Sequence, residues 1–177
     1  MQVKDFLVIE RRVVYPRIEL KGVPTLILPC GRNVNPEEII EKHGNWIEKK
    51  LQFIEDVKKK YKNCKVYNRS DEEFKKLVLK LIEEYSAKIG VRVKKVIFRD
   101  MRSKWASCRK NGNVSFNLKL KYLPLSLIRY VVFHELVHLI FHHHKSSFWE
   151  YVKKEFKNPE RYEEKLFGYW FSIQLID

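Results

Sequence analysis

A chain of 177 residues is long enough to bury a genuine core, and its 45% apolar share with 24 aromatics excludes a disordered polymer. Its apolar runs are broken by His, Glu or Lys well short of the roughly 20 residues a membrane helix needs. The start, MQVKDFLVIE, lacks a basic, apolar and small-residue signal pattern, so a cytoplasmic, non-membrane protein is expected.

The net charge of +14 favours polyanionic or acidic partners. The excess is spread over many segments with no isolated basic block, so weak, sequence-independent nucleic-acid binding is the most it predicts. The three cysteines, Cys30, Cys64 and Cys108, are scattered and odd in number. They form neither a disulfide framework nor a CxxC pair, which fits a reducing compartment.

In chain order, "FLVIE", "VVYPRIEL" and "TLILP" are short branched runs punctuated by Pro and Gly, the pattern of a small β-meander. Asn35-Pro36-Glu37-Glu38 is a helix start, with a capping residue, Pro at the first position and acids in the first turn. Ile39, Ile40, His43, Trp46, Ile47, Phe53, Ile54 and Val57 then recur at helical spacing to about Tyr61, which places His43 at the core or its boundary. After a connector, Ser70 and Glu73 have capping-box spacing. Phe74, Leu77, Val78, Leu81, Ile82 and Tyr85 give a second amphipathic helix, which Gly90 is placed to end.

"VRVKKVIFR" reads as a strand. In the next one Val114, Phe116, Leu118 and Leu120 alternate with Ser115, Asn117, Lys119 and Lys121, so one buried and one polar face are expected. From Pro124 a strongly apolar helix runs into a histidine cluster, and Ser146 and Pro159 begin two further helices, the last ending in "YWFSIQLI". Strands, helices, strands and helices in this order predict an α+β fold with antiparallel pairing. Residues 1–70 form an N-terminal meander and helix, and 71–177 the core that carries the histidines.

Five of the six histidines lie between residues 133 and 149. His134-Glu135-Leu136-Val137-His138 is H-E-x-x-H: on a helix, positions i and i+4 share a face, so two imidazoles reach one zinc. Glu135 beside them can accept a proton from zinc-bound water rather than ligate. The surrounding residues, from Leu127 to Ile140, are mostly apolar, and a metal gives these polar groups a partner.

A catalytic zinc takes three protein ligands and keeps one position open. If the helix persisted, His142 would lie about 12 Å along the axis from His134, out of reach. The chain must therefore leave the helix after His138. His144, six residues on, has room to return, although Phe141 stands where H-E-x-x-H-x-x-G-x-x-H enzymes have glycine. His142 and His143 compete nearby, and Glu155, Glu163 and Glu164 are rival carboxylate ligands.

The runs "SKWASC", "GNVSFNLKLKYLPLSLIRYVVFHELVHL" and "HHHKSSFW", in this order between residues 99 and 149, resemble the YgjP-like metallopeptidase family, related to SprT-like and mini-gluzincin zinc proteases. The resemblance implies a zincin-like core, with a small antiparallel sheet packed on the H-E-x-x-H helix. It also implies a zinc-dependent hydrolase acting on a peptide or protein. One zinc per chain would be held by His134, His138 and His144, with Glu135 the catalytic carboxylate. Trp105-Ala106-Ser107-Cys108 departs from the family's Trp-Gly-Ser-Cys, and His143-His144-Lys145 from its Asn-His-Ser.

The strand around Ser115 and Asn117 is a candidate edge for binding an extended substrate through its main chain. Trp105, Cys108, Phe148 and Trp149 read as packing residues. The competing function is a basic nucleic-acid-associated module with a structural zinc. Such sites are closed by four ligands, often cysteines, and need no glutamate after the first ligand, so the enzyme is favoured.

Overall fold

In the computed structural model, which describes residues 2–20 and 22–173, the chain divides between Lys59 and Lys60 into two units. The division falls in the last turn of a helix rather than after Ser70, because the connector is bonded into the second unit. Tyr67 N donates to Tyr122 O at 2.9 Å, and Arg69 Nη1 donates to the carbonyls of Lys121 and Leu123 at 2.8 and 2.6 Å.

In the first unit, strands β1 (Leu7–Arg11), β2 (Arg17–Glu19) and β3 (Thr25–Pro29) form a sheet of order β1-β3-β2. This is not the expected meander. β3 inserts between the other two, parallel to β1 and antiparallel to β2, and Leu26, Ile27 and Leu28 are buried there. Helix α1 (Pro36–Tyr61) starts where expected, with Asn35 Oδ1 accepting from Glu37 N at 3.0 Å. Its buried residues, Ile40, Ile47, Ile54 and Val57, form a stripe only about one residue wide. Trp46 and Phe53 lie off that stripe and are about half exposed, and His43, expected at the core boundary, is exposed as well.

The second unit begins with α2 (Asp71–Ile89). Its capping box is complete: Glu73 N donates to Ser70 Oγ, and Ser70 N to Glu73 Oε2. Gly90 closes the helix at φ 69°, a left-handed conformation that glycine adopts without strain. Strands β4 (Lys95–Arg99), β5 (Ala106–Cys108) and β6 (Asn113–Asn117) repeat the topology of the first sheet, in the order β4-β6-β5. β6 pairs parallel with β4 and antiparallel with β5, so this sheet too is mixed rather than antiparallel. The loop 100–105 connects β4 to β5, which lie on either side of β6. Asn117 pins that loop, its Nδ2 donating to Met101 O and Lys104 O, both at 2.8 Å.

Alternation does not continue past Asn117. Its Oδ1 accepts from Lys119 N at 3.1 Å and starts a 3-10 turn, Leu118–Tyr122, in place of further strand. Helices α3 (Leu125–Val137), α4 (Ser146–Glu155) and α5 (Pro159–Ile173) follow; the expected continuation through Gln174–Ile176 lies outside the described residues. α3 is the spine of the unit, packed against α2, β5, α4 and α5. Nine of its thirteen residues are buried, including Glu135, which explains an apolar character with little sidedness. The fold is α+β, as expected. Among the described residues, no helix is long and apolar enough to cross a membrane.

Candidate active site

α3 ends at the second histidine of the motif. His138 is the C-cap in αR conformation, and Leu139 N, Ile140 N and Phe141 N turn back onto the carbonyls of Leu136 and Val137. No residue other than glycine has positive φ among the described residues, so Phe141 replaces the glycine of related motifs without backbone strain. The reversal carries His144 back over the helix. His134 Nε2 and His138 Nε2 lie 3.0 and 3.1 Å from His144 Nε2, and one nitrogen from each imidazole falls within 4.8 Å of the others.

This donor set fits a divalent cation. Zn–N bonds of about 2.0–2.1 Å in tetrahedral array separate two nitrogens by roughly 3.3 Å, close to the spacing here. His138 Nδ1 donates to Phe141 O at 3.0 Å, leaving Nε2 as a lone-pair acceptor aimed at the cluster. Burial lowers the pKa of His138, and drives that of His134 down to about 3, so both rings stay neutral as ligands must. Neutral acceptors facing one another at 3 Å repel unless a positive charge lies between them.

The rival ligands are placed elsewhere. His142 Nδ1 donates to His138 O at 3.0 Å, engaged at the helix C-terminus. Glu155 pairs with Lys88, and Glu164 with Lys60 at 2.6 Å. Glu163 stands behind His134: its Oε1 is 3.6 Å from Nδ1, on the opposite side of the ring from the converging Nε2 atoms. The same oxygen accepts the Tyr130 hydroxyl at 2.6 Å, and the Tyr130 ring stacks on Tyr162. His134 Nδ1 is buried without a hydrogen-bond partner, so Glu163 is the group best placed to receive its proton. No cysteine joins the metal-competent groups among the described residues.

One ring braces the cluster. Phe148, fully buried in α4, packs its centroid 4.9 Å from His134 and 4.7 Å from both His138 and His144. Trp149 stacks on His144 at 5.5 Å. These aromatics hold the His144 loop, as their packing role requires. Trp105 is likewise structural, its Nε1 donating to Leu166 O at 3.1 Å and its ring edge-on to Trp170.

Glu135 is buried beside the histidines. Burial raises its carboxyl to about 8, against which the charge of Lys104 and a hydrogen bond from the Cys108 backbone N–H act. A cation bound by the histidines would lower it further. Burial also raises the Cys108 thiol to about 11, with the Glu135 charge adding to the effect, so that sulfur stays protonated.

Ser115 and Asn117 do not form an edge. β6 is central, both side chains are buried, and Asn117 is committed to the 100–105 loop. The edge beside Glu135 belongs to β5. Trp105 O and Arg109 N bond inward to β6, so antiparallel alternation turns the backbones of Ala106 and Cys108 outward, where the Cys108 N–H meets Glu135. The positions of Glu163, Lys104 and β5 could not be read from sequence spacing.

The profile of the YgjP-like metallopeptidase domain matches residues 58–168, which include the whole histidine cluster. The chain belongs to the YgjP-like metallopeptidase family. Membership makes it a zinc-dependent hydrolase of the metallopeptidase class, as the resemblance implied. Two crystallised zymogens are similar in structure. Abylysin of Pyrococcus abyssi is 26% identical, with 50% of this chain and 90% of that one covered at a TM-score of 0.46. Jannalysin of Methanocaldococcus jannaschii is 20% identical, with 56% and 88% covered at 0.45. No curated protein matches this YgjP-like chain by sequence.

Proposed function

We propose that this YgjP-like metallopeptidase holds one zinc per chain on His134, His138 and His144 and hydrolyses peptide bonds with Glu135 as general base. The observation that carries the reading is the convergence of three imidazole nitrogens beside a buried carboxylate that is not itself part of the cluster. Zinc bound there supplies Lewis acidity to the scissile carbonyl and to attacking water. Glu135 takes the proton of that water and returns it to the leaving amine. Burial raises its proton affinity and a cation on the histidines would lower it, the two opposing influences that set a carboxylate able to take up and return a proton. Phe141 O orients His138 through the Nδ1 hydrogen bond, and the Glu163 carboxylate, 3.6 Å from His134 Nδ1, faces His134 as a charge.

The peptide lies extended along β5, where the outward Ala106 N–H and C=O and the Cys108 C=O offer main-chain hydrogen bonds, the Cys108 N–H being held by Glu135. This replaces the central strand around Ser115 and Asn117 as the substrate-binding element. The test is Glu135→Gln, which keeps the shape and removes the base. Hydrolysis of a peptide library by zinc-loaded protein should fall by about 10²–10⁴-fold with zinc content unchanged. Equal cleavage by wild type and variant at full zinc loading would refute the mechanism.

A further inference from the structure

Residues 91–112, which run from before β4 through the β5–β6 hairpin, carry eight cations and one acid, an excess of seven within the chain's +14. All eight are exposed. Among the described residues, the lysine ion pairs of the second unit use Lys60, Lys76, Lys88, Lys121 and Lys153, and none uses a cation of this segment. The cations of this segment therefore project an uncompensated field.

Four of them bracket β5. Arg102 and Lys104 lie just before it, in the loop that Asn117 clamps through Lys104 O. Arg109 and Lys110 lie just after it, in a hairpin closed by the Gly112 N to Arg109 O bond at 3.0 Å. From Lys104 to Arg109 an extended chain covers about 17 Å, the length of a peptide of five or six residues. Lys104 is near enough to the reacting centre for its charge to act on Glu135.

We propose that the substrate is an acidic peptide segment, with Asp or Glu on both sides of the scissile bond read by Arg102 and Lys104 at one end of β5 and Arg109 and Lys110 at the other. This rests on the reading of β5 as the substrate edge. A polynucleotide fits the same field less well. The only aromatics of residues 91–112, Phe98 and Trp105, pack against the core and offer no stacking platform for bases. The outward backbone of β5 matches a peptide main chain, which a sugar-phosphate chain does not provide.

The experiment uses zinc-loaded full-length Glu135→Gln protein and three fluorescent 12-residue peptides with one apolar centre flanked by Glu, Gln or Lys. Anisotropy at low ionic strength should rank them Glu, Gln, Lys, with at least about tenfold between the first two and a loss of that gap in high salt. The double reversal Lys104→Glu/Arg109→Glu should invert the order. Equal affinity for the Glu and Gln peptides, or no binding to any of the three, would overturn the proposal. So would a labelled oligonucleotide that binds more tightly than the Glu peptide and is lost in the reversal. Glu135-dependent hydrolysis by wild type that ignores peptide charge would sink the acidic preference and leave the active site standing. Charge-ranked binding without Glu135-dependent hydrolysis would do the reverse.

Discussion

Phe148→Ala is the substitution on which the packing account makes its largest quantitative statement. The ring is fully buried and touches all three imidazoles, with centroids 4.7–4.9 Å away. Truncating a buried Phe to Ala costs about 3–5 kcal/mol through lost transfer energy and an uncollapsed cavity. Against a domain stability of about 5–15 kcal/mol, that loss removes most of the stability of a domain at the low end of the range. Phe148→Leu keeps most of the volume and should cost under about 1.5 kcal/mol.

The Leu variant separates stability from site geometry. It leaves the core filled while removing the flat face that braces the imidazoles, so its stabilisation by zinc should be smaller than that of wild type. Urea unfolding of each protein with zinc and with a chelator measures both quantities, since a ligand at 100 times its Kd adds about 2.7 kcal/mol. An Ala variant within about 1 kcal/mol of wild type in the chelated series would refute the packing argument. A Leu variant stabilised by zinc as strongly as wild type would refute the bracing argument.

Glu163→Gln keeps an acceptor for Tyr130 but removes the charge behind His134, and zinc affinity by chelator competition should weaken about 10–100-fold with stoichiometry retained. Gly168→Ala would place a Cβ 2.3 Å from Tyr61 Cδ2 and should destabilise by about 1–3 kcal/mol in chemical unfolding. Asp71, bonded to Lys121, and Glu73, bonded to the Ser70 backbone, both titrate below their ordinary values of 3.8 and 4.5. Their folded-state pKa values are depressed, so the stability they add is complete above those ordinary values and disappears as pH falls through the folded ones. Acid unfolding of Asp71→Asn and Glu73→Gln should accordingly show a shallower loss than wild type over that window.

What was legible in the sequence follows from how local each feature is. The convergence of His134, His138 and His144 depends on a four-residue helical repeat and a six-residue return, so local spacing pointed to the first two, while His144 competed with His142, His143 and three glutamates until the family resemblance favoured it. The capping box at Ser70 and the stop at Gly90 are local in the same sense. Strand order is not local. Nothing in "TLILP" or "NVSFN" reports that each strand inserts between two earlier ones, and both sheets came out mixed for that reason.

Ser115 and Asn117 looked like a solvated face because they alternate with apolar residues. Inside a central strand, small polar side chains can instead be buried, and Asn117 satisfies its amide on loop carbonyls. His43 shows the converse limit. Helical periodicity placed it near the core, but the stripe of α1 is narrower than the pattern allowed. Glu163 is separated from His134 by two helix starts, so only the packing of α5 on α3 reveals its place.

The most direct test of the central claim is the zinc content of full-length protein after dialysis against a weak chelator, for wild type and four alanine variants. One zinc per chain in wild type and in His142→Ala, with stoichiometric binding lost in His134→Ala, His138→Ala and His144→Ala, is the result predicted here. Zinc lost in His142→Ala and retained in His144→Ala would contradict the ligand set, and with it the active site built around it.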